Sequence, residues 1–342
     1  MTNTEPAPHD VLVHYTDAQG LEGILRRNTL WATDGSHTND AEELQTGLKL
    51  LERFYETEFW NDPDFRTSDL FDLDKLKEQE DAVGAEKLWR EQLREIKDAI
   101  QKTFDEMEKY ICSFSETSEN ESYNQKNGRL SQWRAYGDYA IVFNENKLKK
   151  IVANFPHENN LILELKSVLY VDPQENIQQH TPLYIRLRDD LKTFIKRYMH
   201  QNTNSPDEHM DGLRALTRIV FLLKNKGFEE EKEHRLLIYY NNQELLNQFA
   251  REEGLEPRNF SEAYKQIEPH EQITIRRNRI VPYFDLFHHD PLPIEKILIG
   301  PAPDEEQKKR EAGVNALIKH LKSIGSLKND IPVRCSAIPY RV

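Results

Sequence analysis

The chain reads as an α+β protein with its strands interrupted by helical inserts. Three observations predict this. Short apolar strands recur along the 342 residues without regular β-α-β alternation; two long segments carry helical stripes; and no internal repeat or low-complexity tract is present. The length suits one elaborated domain, 1–342, with helical insertions at about 41–110 and 181–226.

From the N-terminus, "VLVHYT" (Val11–Thr16) and Thr29–Thr33 read as strands flanking a helix, Ala18–Arg27. Asp17 offers a side-chain oxygen to the first helical N–H groups, and Asn28 suits a left-handed stop. From about Ala41 a helix carries Leu44, Leu48, Leu51, Tyr55 and Phe59 on one face, and "NDPDFRTSDLFDLDK" breaks it. A second helix carries Trp89, Leu93, Ile96, Ile100, Phe104 and Met107. The pair is expected to form a hairpin on the sheet. "YICSFSE" and "YAIVFN" are strands around a polar loop, "TSENESYNQKNGR", and a short helical turn, "LSQWRAYG". "LILELKSVLYVD" is a strand pair or one bent strand. Helices are expected around Leu183–His200 and Asp211–Asn225, ended by Gly227. "FEEEKEHRLLIYY" runs into a strand; "QITIRRN", "IVPYFDLF" and "IEKILIG" are strands. Asp304 caps a helix with Val314, Leu317, Leu321 and Ile324, before a last strand, "VRCSAIPYRV".

Composition narrows the partners. A formal net charge of −13 disfavours non-specific binding to nucleic acid or to an anionic membrane. The first ten residues, "MTNTEPAPHD", lack the cationic-then-apolar order of a signal peptide, and no apolar run is long enough to span a bilayer. Two distant cysteines, Cys112 and Cys335, read as buried thiols rather than a disulfide. A cytoplasmic location is the expectation.

Chemistry is narrowed by elimination. The sequence has no phosphate-cradling P-loop, no Rossmann glycine fingerprint, no G-x-S-x-G elbow and no H-E-x-x-H. "HHD" (His288–Asp290) reads as a solvated turn rather than a ligand cluster, and no metal is predicted. Polar and aromatic groups at strand ends remain. His14 and Thr16 share one face of the first strand, with Tyr15 opposite. Ser113 and Ser115 alternate with Cys112 and Phe114. Trp133 and Tyr136 lie at helical spacing, and Glu231, Glu233 and Arg235 share a face if that segment is extended. An ordinary ion pair explains the last group equally well.

In order, these blocks resemble the domain of unknown function 2971 family. The family's "HYT…L..IL….LW…….ND..E" corresponds to His14-Tyr15-Thr16, Leu21, Ile24-Leu25, Leu30-Trp31, Asn39-Asp40 and Glu43. "SFSE……W..Y" corresponds to Ser113–Glu116, Trp133 and Tyr136, and "E.E.RL" to Glu231, Glu233, Arg235 and Leu236. "I..I.IGP" and "S.IPYR" correspond to Ile294–Pro301 and Ser336–Arg341. The family brings no known activity.

More distantly, the chain resembles ADP-ribosyltransferase folds, which implies a split, mixed or antiparallel sheet. That resemblance implies NAD as substrate. His14 would bond the adenosine ribose beside Tyr15 and Thr16. Tyr136 or Trp133 would stack on nicotinamide with Ser115 near its amide. Glu233 or Glu231, held by Arg235, would stabilise the ribose cation formed as the nicotinamide bond breaks. The implied roles are an ADP-ribosyltransferase or NAD glycohydrolase of the toxin or anti-phage defence kind. Two other classes stay open: a non-catalytic nucleotide-binding or sensing module, and a carboxylate/metal-dependent hydrolase using Glu231 and Glu233 with Asp40 and Glu43.

Overall fold

The computed structural model describes residues 9–35, 107–155, 161–172, 221–241, 271–276, 279–287 and 291–339, with isolated helical positions between them. One long strand, β3 (Met107–Thr117), organises the rest. Along one edge it pairs first with β1 (Val11–Thr16), at Ser115–Thr117, and then with β2 (Leu30–Asp34), at Tyr110–Ile111. Its other edge pairs with β8 (Glu233–Asn241) from Met107 to Ser115.

The sheet extends outward from this strand. β4 (Tyr139–Asn144) joins β1, β11 (Ile294–Ile299) joins β4, and β12 (Val333–Cys335) closes that side. β10 (Arg279–Leu286) and β9 (Glu271–Arg276) extend β2, and β5 (Leu161–Ser167) extends β8. These ten strands are antiparallel except for β11 beside β12. β6 (Leu169–Val171) and β7 (Leu223–Asn225) form a separate parallel pair. The protein is thus α+β, with a mixed and largely antiparallel sheet.

Local chemistry accounts for the helices. α1 (Ala18–Arg27) starts where the Asp17 carboxylate accepts from Gly20 N at 2.8 Å and stops at Asn28, whose φ is 54°. α2 (Ser122–Asn127) occupies the expected polar loop, and α3 (Leu130–Tyr136) is the expected turn. α4 (Glu145–Ala153) was not anticipated, although the Asn144 side chain caps it by accepting from Lys147 N. α5 (Asp304–Ser323) is capped at Pro303, not Asp304, and buries Val314, Ile318 and Leu321 while Ile324 is exposed.

Other boundaries also differ. Met107, expected on the helical stripe, is in a strand, as are Leu223–Asn225. Lys226–Glu231 form a 3-10 turn, so Gly227 ends no helix. "LILELKSVLYVD" divides into β5 and β6, which belong to different sheets. The Leu44–Phe59 stripe, most of the Trp89–Met107 stripe and most of the expected Leu183–His200 helix lie outside the described residues, although Lys87, Arg90, Glu91 and Arg94 are helical. Among the described residues no helix is long and apolar enough to cross a membrane.

Two cores cover the two faces. Leu12, Ile141, Phe143, Phe114, Cys112, Leu236 and the buried face of α5 make the larger one. Val11, Val13, Tyr15, Ala140, Val142, Leu298 and Trp133 make the other. A polar link joins the end of α1 to β10: Arg27 and Thr29 donate to the buried Asp285 at 2.9 and 3.0 Å. Gly137 ends α3 with φ 139°, and a Cβ there would stand 2.5 Å from the Thr16 carbonyl oxygen. Gly137→Ala therefore combines a disfavoured backbone with a backbone clash. It is expected to cost at least ~1 kcal/mol in chemical denaturation, and unchanged stability would contradict this packing.

Candidate functional site

Register settles which side chains meet. Val13 pairs with Ser115 and Ser115 with Glu233, so these three leave the same face. His14 leaves the opposite face, paired with Ile141 and with its ring 5.7 Å from that of Phe114. The histidine and the glutamate are two strands apart and point to different sides of the sheet.

Ser113 lies between them. It sits where the β3 edge passes from β1 to β2, and its carbonyl accepts a hydrogen bond from His14 Nδ1 at 2.9 Å. His14 is half-buried and Ser113 exposed, although its neighbours Cys112 and Phe114 are buried. The Ser113 side chain leaves the far face, on the side of Glu233, and helps to lower its pKa. The resemblance to ADP-ribosyltransferase folds implies Ser115 as the ligand contact. Instead Ser115 is buried, and its hydroxyl donates to the Glu231 carbonyl at 2.7 Å.

Glu233 is the centre of a buried charge cluster. Arg235, two residues along the same face, donates to it from Nε at 2.8 Å and from Nη2 at 3.0 Å. Lys224 Nζ, from β7, lies 3.1 Å from Glu233 and 2.8 Å from Glu231, so one cation bridges both glutamates. Arg235 also donates to the Phe221 carbonyl, and Glu233 N donates to the Tyr170 hydroxyl at 2.6 Å. Burial opposes ionisation of Glu233, but Arg235, Lys224 and Ser113 outweigh it and hold the carboxyl at about 2. Glu231 ends the 3-10 turn and Lys232 is left-handed at φ 45°, so the segment is not a continuous extended face.

The expected aromatic residues play packing roles or stand apart. Trp133 is buried, donates to the Asn127 carbonyl at 2.9 Å and meets Tyr15 edge-on at 4.8 Å. Gly300 lies so near that a Cβ would come within 2.9 Å of the indole. Tyr15 accepts from Arg129 N at 2.8 Å, and burial pushes its phenol up to about 12. Thr16 is buried against the first turn of α1. Tyr136 is 37% exposed while Trp133 is 6%, so helical spacing does not bring them to one surface. Neither cysteine is in a disulfide, and Cys112 is buried. Asp40, Glu43 and His288–Asp290 lie outside the described residues.

Two predictions follow from these contacts. Glu233→Gln leaves Arg235 and part of Lys224 uncompensated, so unfolding free energy at pH 7 should fall by about 3 kcal/mol. The depressed pKa makes this stabilisation complete above the ordinary carboxylate range and lost as pH falls through about 2. The gap between wild type and Glu233→Gln should therefore narrow on acidification in parallel denaturant titrations; a gap independent of pH would contradict the ion-pair assignment. Trp133→Ala should cost roughly 3–5 kcal/mol as a core deletion, measured in the absence of any ligand.

No curated protein and no solved structure matches the chain. The family comparison covers the segment from α3 to β8, including Trp133, Tyr136, Glu231, Glu233 and Arg235, and leaves His14 and Ser113 outside it. Through residues 132–236 the chain matches the family model described as Protein of unknown function (DUF2971).

Proposed function

We propose that the chain is a nucleotide-binding or sensing module that takes a ligand of the NAD class where β1 and β2 part along β3. The observation that carries this reading is the half-buried His14 at that parting, bonded to the carbonyl of Ser113, whose side chain is exposed. An imidazole is suited to ribose hydroxyls, and a strand edge supplies further donors and acceptors.

Binding without turnover is favoured because the Glu233 charge is already committed. Stabilising a ribose cation needs negative charge that grows in influence as the C–N bond breaks. Here Arg235 and Lys224 neutralise the carboxylate. A ligand resting on one face also cannot touch both His14 and Glu233 directly.

An ADP-ribosyltransferase-like enzyme is the second reading. In its favour are the split edge of the sheet and a glutamate that stays ionised well below neutral pH. In that reaction the nicotinamide–ribose bond breaks, nicotinamide leaves, and the anomeric carbon bonds an acceptor or water. Cytoplasmic residence and a toxin or anti-phage role belong to this reading too.

Calorimetry with NAD and assay of released nicotinamide separate the two. The binding reading predicts saturable NAD uptake, weakened about tenfold or more by His14→Ala, without nicotinamide release. Release by wild type, abolished in a folded Glu233→Gln variant, would establish the enzyme instead. Absence of NAD binding would overturn both.

A further inference from the structure

α3 lies on the Glu233 side of the sheet, where Trp133 packs on Val13 and Tyr15. Both ends of the helix are fixed. At its start Arg129 donates through Nη2 to the Glu116 carbonyl on β3 at 3.1 Å, and at its end Gly137 lies against the Thr16 carbonyl of β1. The helix therefore runs along β1 toward the place where β3 leaves that strand. Arg129, Gln132 and Tyr136 follow one another at helical spacing, on the flank that Arg129 turns to β3. From Arg129 to Tyr136 the helix advances about 10 Å, close to the rise of roughly three strand residues. Starting level with Glu116, this stripe reaches the level of Ser113, with Gln132 part of the way along it.

Exposure changes along the stripe. Tyr136 and Ser113 are exposed, whereas Gln132 is only 5% exposed and its Nε2 has no hydrogen-bond partner. The neighbouring Trp133 shows the ordinary outcome, its buried indole N–H donating to the Asn127 carbonyl. A buried amide without an acceptor costs stability, and packing alone would be served better by an apolar side chain. We infer that Gln132 reads the ligand in the parting, through a planar group that carries an acceptor beside an N–H donor. The inference rests on the nucleotide reading above and names the chemistry that the same site selects.

A glutamine carboxamide presents its N–H donor and its carbonyl acceptor side by side, so it pairs with such a group by two parallel hydrogen bonds. A ligand of the NAD class holds this chemistry twice, in the nicotinamide carboxamide and in the N6–N7 edge of adenine. A carboxylate offers acceptors alone and makes one of the two bonds. Tyr136, one turn further along, supplies an exposed ring against which a flat group can lie. His14 reaches the parting from the opposite face, so a ligand lodged there is held from both sides.

Calorimetry on the full chain with NAD and two analogues tests the inference. Nicotinic acid adenine dinucleotide replaces the carboxamide by a carboxylate, and nicotinamide hypoxanthine dinucleotide replaces the adenine amino group by a carbonyl oxygen. Wild type should bind at least one of them about tenfold or more weakly than NAD. Gln132→Met, of the same length, should weaken NAD binding about tenfold or more, and the analogue whose disadvantage it removes identifies the group that Gln132 reads. Without ligand, Gln132→Met should unfold at the same or a higher urea concentration, because it removes an unpaired buried amide. A lower midpoint would show that the fold itself holds Gln132 and would overturn the inference. Unchanged NAD affinity in Gln132→Met, or equal wild-type affinity for all three dinucleotides, would overturn it while leaving the nucleotide reading intact. Absence of NAD binding by wild type would overturn both.

Discussion

The register of β3 is the constraint on which the rest of the structure depends. One strand serves three partners, and because side chains alternate with period two, its pairing decides the face of every candidate residue. Val13, Ser115 and Glu233 fall in line across three strands, whereas His14, Phe114, Glu116 and His234 belong to the opposite side. A shift of one residue would exchange the two sets and bury Arg235 in the larger apolar core.

Two polar centres result, each with its own chemistry. On one face a carboxylate holds its charge because two cations surround it, and that arrangement fastens β7 and the 3-10 turn to β8. On the other face carboxylates crowd together with one lysine and a buried imidazole. Ser113 sits where two partner strands separate, its carbonyl bonded to His14 on one face and its side chain leaving the other.

Local signals were legible in the sequence. Asp17 and Asn28 delimit α1 by cap chemistry, and the alternation in "VLVHYT" placed Tyr15 opposite His14. Signals that depend on distant neighbours were not. Ser113 and Ser115 leave the same face of β3, and which of them is open depends on what covers that face at each position, the Glu231 carbonyl in the case of Ser115. Trp133 reads as a stacking platform until Gly300 and Asn127 are seen closing around it. Lys224 was assigned to a helix, and only its place in β7 brings its ammonium to both glutamates. Asn144 ends β4 and caps α4 at once, so its cap signal is hidden in the strand pattern that precedes it.

The central claim is that Glu233 is spent on its cations and held for architecture. A double-mutant cycle between Glu233→Gln and Lys224→Met, followed by denaturant unfolding, measures this directly. The account predicts a coupling of about 2 kcal/mol or more, the double variant being far less damaged than the sum of the singles. Additive losses would contradict it and leave the Glu233 carboxylate free for another role.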